Sequence, residues 1–310
     1  MENVSAVTSF ILTAYTELED HKYLYFTCFL LVYILILLAN SVLIMVIFID
    51  RTLHEPMYLF VCNLAMNELY GSTSLLPSIL GHLLSRNYEI SLTFCLLQIF
   101  CIHLYGSVEF TILALMSYDR YVAICRPLHY HLLMSPRKVG ILISMCWIYP
   151  CIVFGLYFML TVQLTFCGRI IEKVYCINFA LIKLSCFESP IQSIVGFFVT
   201  ILMIIPLLLV ILFSYAQILR ICIFSSKDSQ TKALQTCSPH ILAVISYAVA
   251  AFFEVAQSRL RMSHIPHKAR IFFSIYALIV TPIFNPVVYG ICLHNIRGQI
   301  YKLFSGKRIH

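Results

Sequence analysis

The sequence predicts an all-α membrane protein, in which a bundle of seven transmembrane helices is followed by a short amphipathic helix. Of its 310 residues 61% are hydrophobic and only 11% are charged, against roughly 25% charged in an ordinary soluble domain. So few charges cannot cover a water-soluble protein. The apolar residues also come in long runs, which excludes disorder and a small disulfide-rich scaffold, while a β-barrel would show short alternating segments instead.

Seven runs are long enough to cross a hydrocarbon core of roughly 30 Å, which needs about 20 helical residues. We number them spans one to seven, at residues 23–49, 57–80, 92–124, 139–160, 191–219, 233–257 and 267–291. They form a single domain over 1–310, with residues 1–22 before the first span and 292–310 after the last. Span one starts late and follows no basic segment, so we expect an uncleaved signal anchor.

The charges indicate an N-terminus outside and a C-terminus in the cytoplasm. With that orientation twelve of the 21 Lys and Arg lie inside and nine outside, a weak positive-inside bias. The sequon at Asn3 agrees with it, provided that Asn3 is glycosylated. The formal charge of +7 is spread over single residues without a basic stripe, which argues against nucleic-acid binding.

Four of the thirteen cysteines fall on the predicted outer side, where disulfides persist. They are Cys95, Cys167, Cys176 and Cys186, and they allow three pairings. A bond from the loop 161–190 to span three would hold that loop over the bundle as a lid. Zinc is the alternative, but a paired Cys-x-x-Cys spacing is missing. No metal and no catalytic residue is predicted.

Ionisable groups inside the bilayer are costly and are functional candidates by default. Glu68 and Glu109 lie at mid-membrane depth, where both can face the interior beside Asn40 and Asn285. A polar pocket holding a sodium ion or a shared proton would satisfy the two carboxyl groups. The alternative is that each is protonated and hydrogen-bonded to a neighbouring helix.

The inner ends of spans three and seven carry two switch candidates. Asp119-Arg120-Tyr121 offers an acid–base pair that can hold Arg120 and release it when the bundle opens. In span seven Pro286 removes a backbone hydrogen bond and kinks the helix, and Asn285 is expected to satisfy a freed carbonyl. The tail after Ile291 predicts an amphipathic helix on the inner leaflet; the alternative is a frayed tail.

Five segments together resemble the rhodopsin-like G-protein-coupled receptors, and more closely the vertebrate olfactory receptors. The resemblance covers nearly the whole chain. Its segments are Leu53-His54-Glu55-Pro56-Met57-Tyr58, Met116-Ser117-Tyr118-Asp119-Arg120-Tyr121-Val122-Ala123-Ile124-Cys125, Ser214-Tyr215 with Ile218, Lys232-Ala233 with Thr236-Cys237 and His240, and Pro282 with Asn285-Pro286 and Tyr289. Glu68 departs from the family's usual Asp, and span six lacks a proline shortly after Tyr247.

The resemblance implies an odorant receptor of the plasma membrane rather than an enzyme. It implies the disulfides Cys95–Cys176 and Cys167–Cys186. It also implies that Arg120, Tyr215 and Tyr289 rearrange on activation, and that a stimulatory G protein then binds the inner face and raises cyclic AMP. A transporter or channel is the alternative class, but inverted repeats and pore-lining rings are not visible.

A ligand pocket is expected in the outer half of the bundle, under the lid. Its candidate residues are Ile102, His103, Gly106 and Ser107 of span three, with Tyr247, Ala251, Glu254 and Arg259 of span six. Mostly apolar walls suit a small apolar ligand. Arg259 begins a basic segment and can clamp an anionic group; alternatively these bases are solvated, and Glu254 favours an amine.

Overall fold

The computed structural model describes residues 7–187, 190–259 and 267–305, and all seven predicted spans are helices. In chain order they are Lys22–Ile49, Pro56–Leu84, Leu92–Cys125, Pro136–Val162, Pro190–Ile223, Lys227–Arg259 and His267–Cys292. Short helices cover Thr13–His21, Arg51–Leu53, Pro127–His129, Tyr130–Leu133 and Asn178–Ile182. The fold class predicted from composition and run length is confirmed.

Several helices continue past the predicted apolar runs. Span six begins at Lys227 rather than at 233, and span two ends at Leu84 rather than at 80. Hydropathy marks where the bilayer ends, whereas backbone hydrogen bonding continues through polar residues on either side, so the helices are longer than the runs. Span two also buries several polar side chains, among them Asn63, Asn67 and Glu68.

The C-terminal helix His294–Phe304 follows span seven directly. The two helices meet at an angle of 95°, so the last helix runs across the end of the bundle instead of extending it. Ile296 is buried there, and Ile300 and Leu303 pack against the inner part of the core. The predicted amphipathic helix is therefore present.

A small sheet on the outer side was not predicted. Strand β1, Ser9–Leu12, lies between β2, Glu89–Ser91, which is antiparallel to it, and β3, Ile170–Ile171, which is parallel. Alternate residues of β1 point inward, and Phe10 and Leu12 are completely covered. The sheet ties the N-terminal segment to two outer loops.

The carbonyl that Pro286 frees in span seven is bonded by span one, which corrects the sequence-based expectation. Pro286 has no amide hydrogen to give to the carbonyl of Pro282. Asn40 donates to that carbonyl at 2.9 Å and to the carbonyl of Ile36 at 3.0 Å. Asn285, the residue expected to do this, points at the two buried carboxyl groups instead. No water is available in the bilayer core, so a neighbouring helix must supply the missing donor.

Two further prolines follow the same rule. In span four, Pro150 leaves the carbonyl of Cys146 without an amide donor, and Thr111 of span three donates to it at 3.0 Å. The equivalent 2.9 Å contact in span five runs from the Tyr149 hydroxyl to the carbonyl of Leu202, four residues before Pro206. Each proline thereby joins two spans at a defined height.

Candidate ligand pocket and signalling face

Spans three and six meet where the ligand residues are predicted. The Tyr247 hydroxyl donates to the carbonyl of Gly106 at 2.9 Å, and the Tyr247 ring stacks on Phe110 with centroids 5.4 Å apart. A Cβ added at Gly106 would meet the Tyr247 oxygen at 3.9 Å. Ile102, His103, Ser107 and Ala251, on the same two spans, are half-buried. Of the candidates on the two spans, the structure thus brings Gly106 and Tyr247 into contact.

His103 is anchored by its own helix and by span four. Its Nδ1 lies 2.9 Å from the carbonyl of Ile99. Its ring stacks almost parallel on Phe154, with centroids 4.5 Å apart and an angle of 6° between the planes. Phe154 in turn packs against Phe100 and Phe158, so the histidine stands beside a cluster of aromatic rings.

The described part of the predicted lid, 163–187, is tied to the outer ends of spans three and six. Cys176 is bonded to Cys95 at the top of span three, and its amide donates to Gln98 Oε1 at 2.8 Å. Tyr175 donates to Glu254 Oε2 at 3.1 Å, and Lys173 Nζ lies 4.0 Å from Glu254 Oε1. Glu254 therefore faces the lid, and a positive charge of the lid lies beside it.

The second implied bond, Cys167–Cys186, closes the lid on itself. The two bonds together are one of the three pairings that the four outer cysteines allow. Two of the predicted site residues cannot be placed: Asn3 and the side chain of Arg259 lie outside the described residues.

The N-terminal segment supports the lid from outside. The Tyr15 hydroxyl donates to the carbonyl of Val174 at 2.7 Å, and its ring stacks on Tyr88 and His82. Burial raises the pKa of Tyr15 well above its usual range. The phenol therefore stays protonated and remains a donor to the lid at every physiological pH.

The buried carboxyl groups of spans two and three share one amide. Asn285 Nδ2 lies 2.5 Å from Glu68 Oε1 and 3.3 Å from Glu109 Oε1. Tyr105 donates to Glu68 Oε2 at 2.7 Å, and its hydroxyl also lies 2.9 Å from Thr281 Oγ1. The polar core predicted from Glu68, Glu109 and Asn285 is assembled. Asn40 does not join this core, because its amide bonds the backbone carbonyls of Ile36 and Pro282.

At the inner end of span three, Asp119 holds Arg120 and is itself held. Arg120 reaches Asp119 Oδ2 with Nη2 at 2.5 Å and with Nε at 3.0 Å. Tyr130, in the cytoplasmic loop after span three, donates to Asp119 Oδ1 at 2.8 Å. Burial, with the nearby Asp119 charge, raises the pKa of Tyr130, which keeps the phenol a donor. Asp119 is fully buried, so these contacts replace its water.

Spans five and six are joined beside this pair. The Tyr215 hydroxyl is hydrogen-bonded to His240 Nδ1. His240 Nε2 lies 2.9 Å from the carbonyl of Leu113, which can only accept, so Nε2 carries the hydrogen and Nδ1 accepts from Tyr215. Tyr121 packs edge-on against Phe213.

The Tyr289 hydroxyl lies 4.0 Å from Met116 Sδ. Arg120 is thus paired with Asp119 in this structure, rather than with Tyr215 or Tyr289. All three side chains nevertheless lie at the inner end of the bundle, as the implied rearrangement requires.

A family profile described as "Olfactory receptor" matches residues 29–307. Mouse Olfactory receptor 1M1 is 32% identical over 309 residues, covering 99% of this chain and 97% of its own, and mouse Olfactory receptor 4B13 is 34% identical, covering 97% of each. Human Olfactory receptor 52D1 is 32% identical over 95% of this chain. The chain belongs to the olfactory receptor family.

The structure of squid rhodopsin supports the same fold. It superimposes with a TM-score of 0.72 over 92% of this receptor and 86% of the rhodopsin chain, at 17% sequence identity. At that identity the likeness shows the seven-helix architecture alone. As a member of its family, this receptor is a multi-pass plasma-membrane protein that takes small odorants and acts through a G protein, and it is not an enzyme.

Several side chains of the receptor's sites were not predicted. Tyr105 and Thr281 complete the polar core, Tyr130 holds Asp119, and Phe154 and Tyr175 frame the pocket and its lid. Each belongs to a residue type that is common in spans and loops, so its type alone gave no signal. Tyr130 offered a weak sequence signal, because it follows the inner end of span three by only a few residues.

Proposed function

We propose that this receptor binds a small, mostly apolar odorant between spans three and six, and that its inner face then activates a stimulatory G protein, which raises cyclic AMP. One observation carries the proposal. Span three is a single helix, Leu92–Cys125, with the candidate pocket at His103–Ser107 and the Asp119–Arg120 pair at its inner end. A ligand that shifts this helix against span six acts on both ends at once.

The inner contacts are of a size that ligand binding can change. Hydrogen bonds to charged groups contribute about 1.5–3 kcal/mol each, and neutral ones about 1 kcal/mol. A ligand must prefer the open bundle by a comparable amount in order to release Arg120 from Asp119 and Tyr215 from His240. We propose that the C-terminal helix, turned 95° from span seven, lies on the lipids of the inner leaflet beside the opening face.

The test is Arg120→Ala, measured as agonist-evoked cyclic AMP in transfected cells at matched surface expression. We expect the response to fall more than tenfold, because Arg120 is the half-buried charge, paired with Asp119, that the proposed opening would release to the G protein. Arg86→Ala, which removes an exposed base near the outer end of span two, is the control and should respond normally. A normal response from well-expressed Arg120→Ala would contradict the mechanism.

For the polar core we propose a single shared proton in preference to a sodium ion. Two neighbouring buried carboxyl groups cannot both stay ionised unless a cation joins them. Both oxygens of Glu68 already accept hydrogen bonds, from Asn285 and Tyr105, and a proton shared with Glu109 removes the repulsion between the two carboxyl groups without a further ligand. Agonist potency that falls with rising sodium in wild type, but not in Glu68→Gln, would favour the ion instead.

An anionic odorant is the alternative to a neutral one. Lys173 favours it. The ammonium group of Lys173 lies beside Glu254 and offsets its negative charge, and Glu254 is the acid that precedes the basic segment in the sequence. A matched acid and methyl ester, tested on wild type and on Arg259→Ala, decide the point. A loss of the acid response alone supports a clamp by Arg259, whereas equal responses of wild type to acid and ester remove it.

A further inference from the structure

His103 and Ser107 are the two polar side chains among the span-three candidates for the pocket. They are four residues apart on span three and therefore lie on one face of the helix. Both side chains are half-buried. Among the described residues, neither His103 Nε2 nor Ser107 Oγ has a hydrogen-bond partner in the protein. Polar groups inside a bundle ordinarily have partners, so this pair is available to a ligand.

The hydrogen bond at the other nitrogen of His103 determines what Nε2 can do. A carbonyl oxygen only accepts, so the 2.9 Å contact with Ile99 places the ring hydrogen on Nδ1. The ring lies flat on Phe154, and within the described chain it forms no ion pair with a carboxylate. A buried charge without a partner is costly, so the neutral ring presents a lone pair at Nε2.

We propose that this receptor recognises a hydroxyl group, that of an aliphatic alcohol or a phenol, through His103 and Ser107. The inference rests on the proposed function and specifies the ligand of that same pocket. The ligand's O–H donates to His103 Nε2, and the Ser107 hydroxyl donates to the ligand's oxygen. A hydroxyl group is both donor and acceptor, so it satisfies both side chains together.

Other oxygen groups satisfy only half of the pair. An ether, aldehyde or ester can accept from Ser107 but has no hydrogen for Nε2, which is left without a partner. A carboxylate also has no hydrogen to donate to Nε2, and its negative charge is repelled by the lone pair of that nitrogen. Sites that hydrogen-bond a hydroxyl reject analogues lacking it far more strongly than apolar pockets reject a missing methylene. Ile102, Phe110 and Ala251, on the same two spans, are apolar or aromatic and suit a hydrocarbon body.

The experiment uses the full-length receptor in transfected cells with a cyclic AMP readout. The probes are straight-chain, cyclic and phenolic alcohols, each with its methyl ether and, for the primary alcohols, the aldehyde and carboxylate of equal length. We expect an alcohol to be the most potent member of its set, and its ether to be at least about tenfold weaker. Ser107→Ala and His103→Phe should each reduce alcohol potency about tenfold or more and leave the weak ether response unchanged.

Two variants separate recognition from folding. His103→Gln retains an acceptor oxygen and should preserve much of the alcohol preference that His103→Phe loses. Ser144→Ala removes a span-four hydroxyl that bonds its own helix at Gly140, and it should behave as wild type. Equal potency of alcohols and ethers, or a preference for carboxylates, would overturn the hydroxyl inference while leaving the receptor function intact. Responses to no odorant of any class would instead contradict the proposed function.

Discussion

The outer and inner ends of the bundle are held together by different kinds of contact. Outside, two disulfides, a three-stranded sheet and the Tyr15–Val174 hydrogen bond connect the N-terminal segment, span three and the lid. Inside, the described contacts between side chains of the switch residues are hydrogen bonds and one ion pair, centred on Asp119 and His240. Both disulfides are at the outer end.

This difference has an energetic meaning. A disulfide typically contributes about 2–5 kcal/mol in small secreted domains, whereas a hydrogen bond contributes a net 0.5–1.5 kcal/mol, and about 1.5–3 kcal/mol when one partner is charged. A ligand can move an equilibrium only by its differential affinity for the two states. The inner end is therefore the part of this bundle that ligand binding can rearrange, while the outer end keeps the pocket in shape.

The largest expected effect comes from breaking the outer end. Cys95→Ser removes the bond between span three and the lid, which joins two cysteines 81 positions apart in the sequence. Losing about 2–5 kcal/mol should retain most of the receptor in the secretory pathway, measured by surface staining against total protein. Cys151→Ser, at an exposed free cysteine of span four, is the matched control. Full surface expression of Cys95→Ser would refute the view that the outer end depends on covalent links.

An intermediate effect is expected at the inner end. Tyr130→Phe leaves Asp119 Oδ1 without its donor at a fully buried position. Destabilising the closed state by about 1 kcal/mol raises the ratio of open to closed receptors about fivefold. Basal cyclic AMP should therefore rise severalfold at unchanged surface expression. Tyr301→Phe, at an exposed tyrosine of the C-terminal helix, is the control; unaltered basal signalling in Tyr130→Phe would show that this contact does not hold the closed state.

The sequence was sufficient for what depends on hydropathy and on motif order. It located all seven spans, because roughly 30 Å of hydrocarbon imposes a length that composition reveals directly. It also placed Glu68, Glu109 and Asn285 in one interior. The contacts between them depend on how helices rotate about their axes, which hydropathy does not determine when a helix is apolar on most sides.

The failures have the same physical origin. Asn285 lies next to Pro286 in sequence, yet the carbonyl that Pro286 frees is bonded by Asn40 of span one. The strand Ser9–Leu12 is too short to show an alternating pattern, and its partners come from loops about 80 and 160 residues away. Pairings over such separations are decided by tertiary packing.

The smallest effect is expected where the outer end uses an exposed ion pair. Arg169 Nη2 lies 3.1 Å from Glu89 Oε1 across the sheet, and the two side chains are 52% and 45% exposed. Such pairs contribute 0–1 kcal/mol, because water and salt screen the charges and two long side chains must be ordered. Glu89→Gln should consequently leave surface expression close to wild type, even though Glu89 lies in the sheet of the outer end. The measurement is surface staining in parallel with Cys95→Ser. Retention of Glu89→Gln to the same degree as Cys95→Ser would mean that the sheet, rather than the covalent bonds, holds the outer end, and the contrast between the two ends of the bundle would have to be restated in terms of strand pairing.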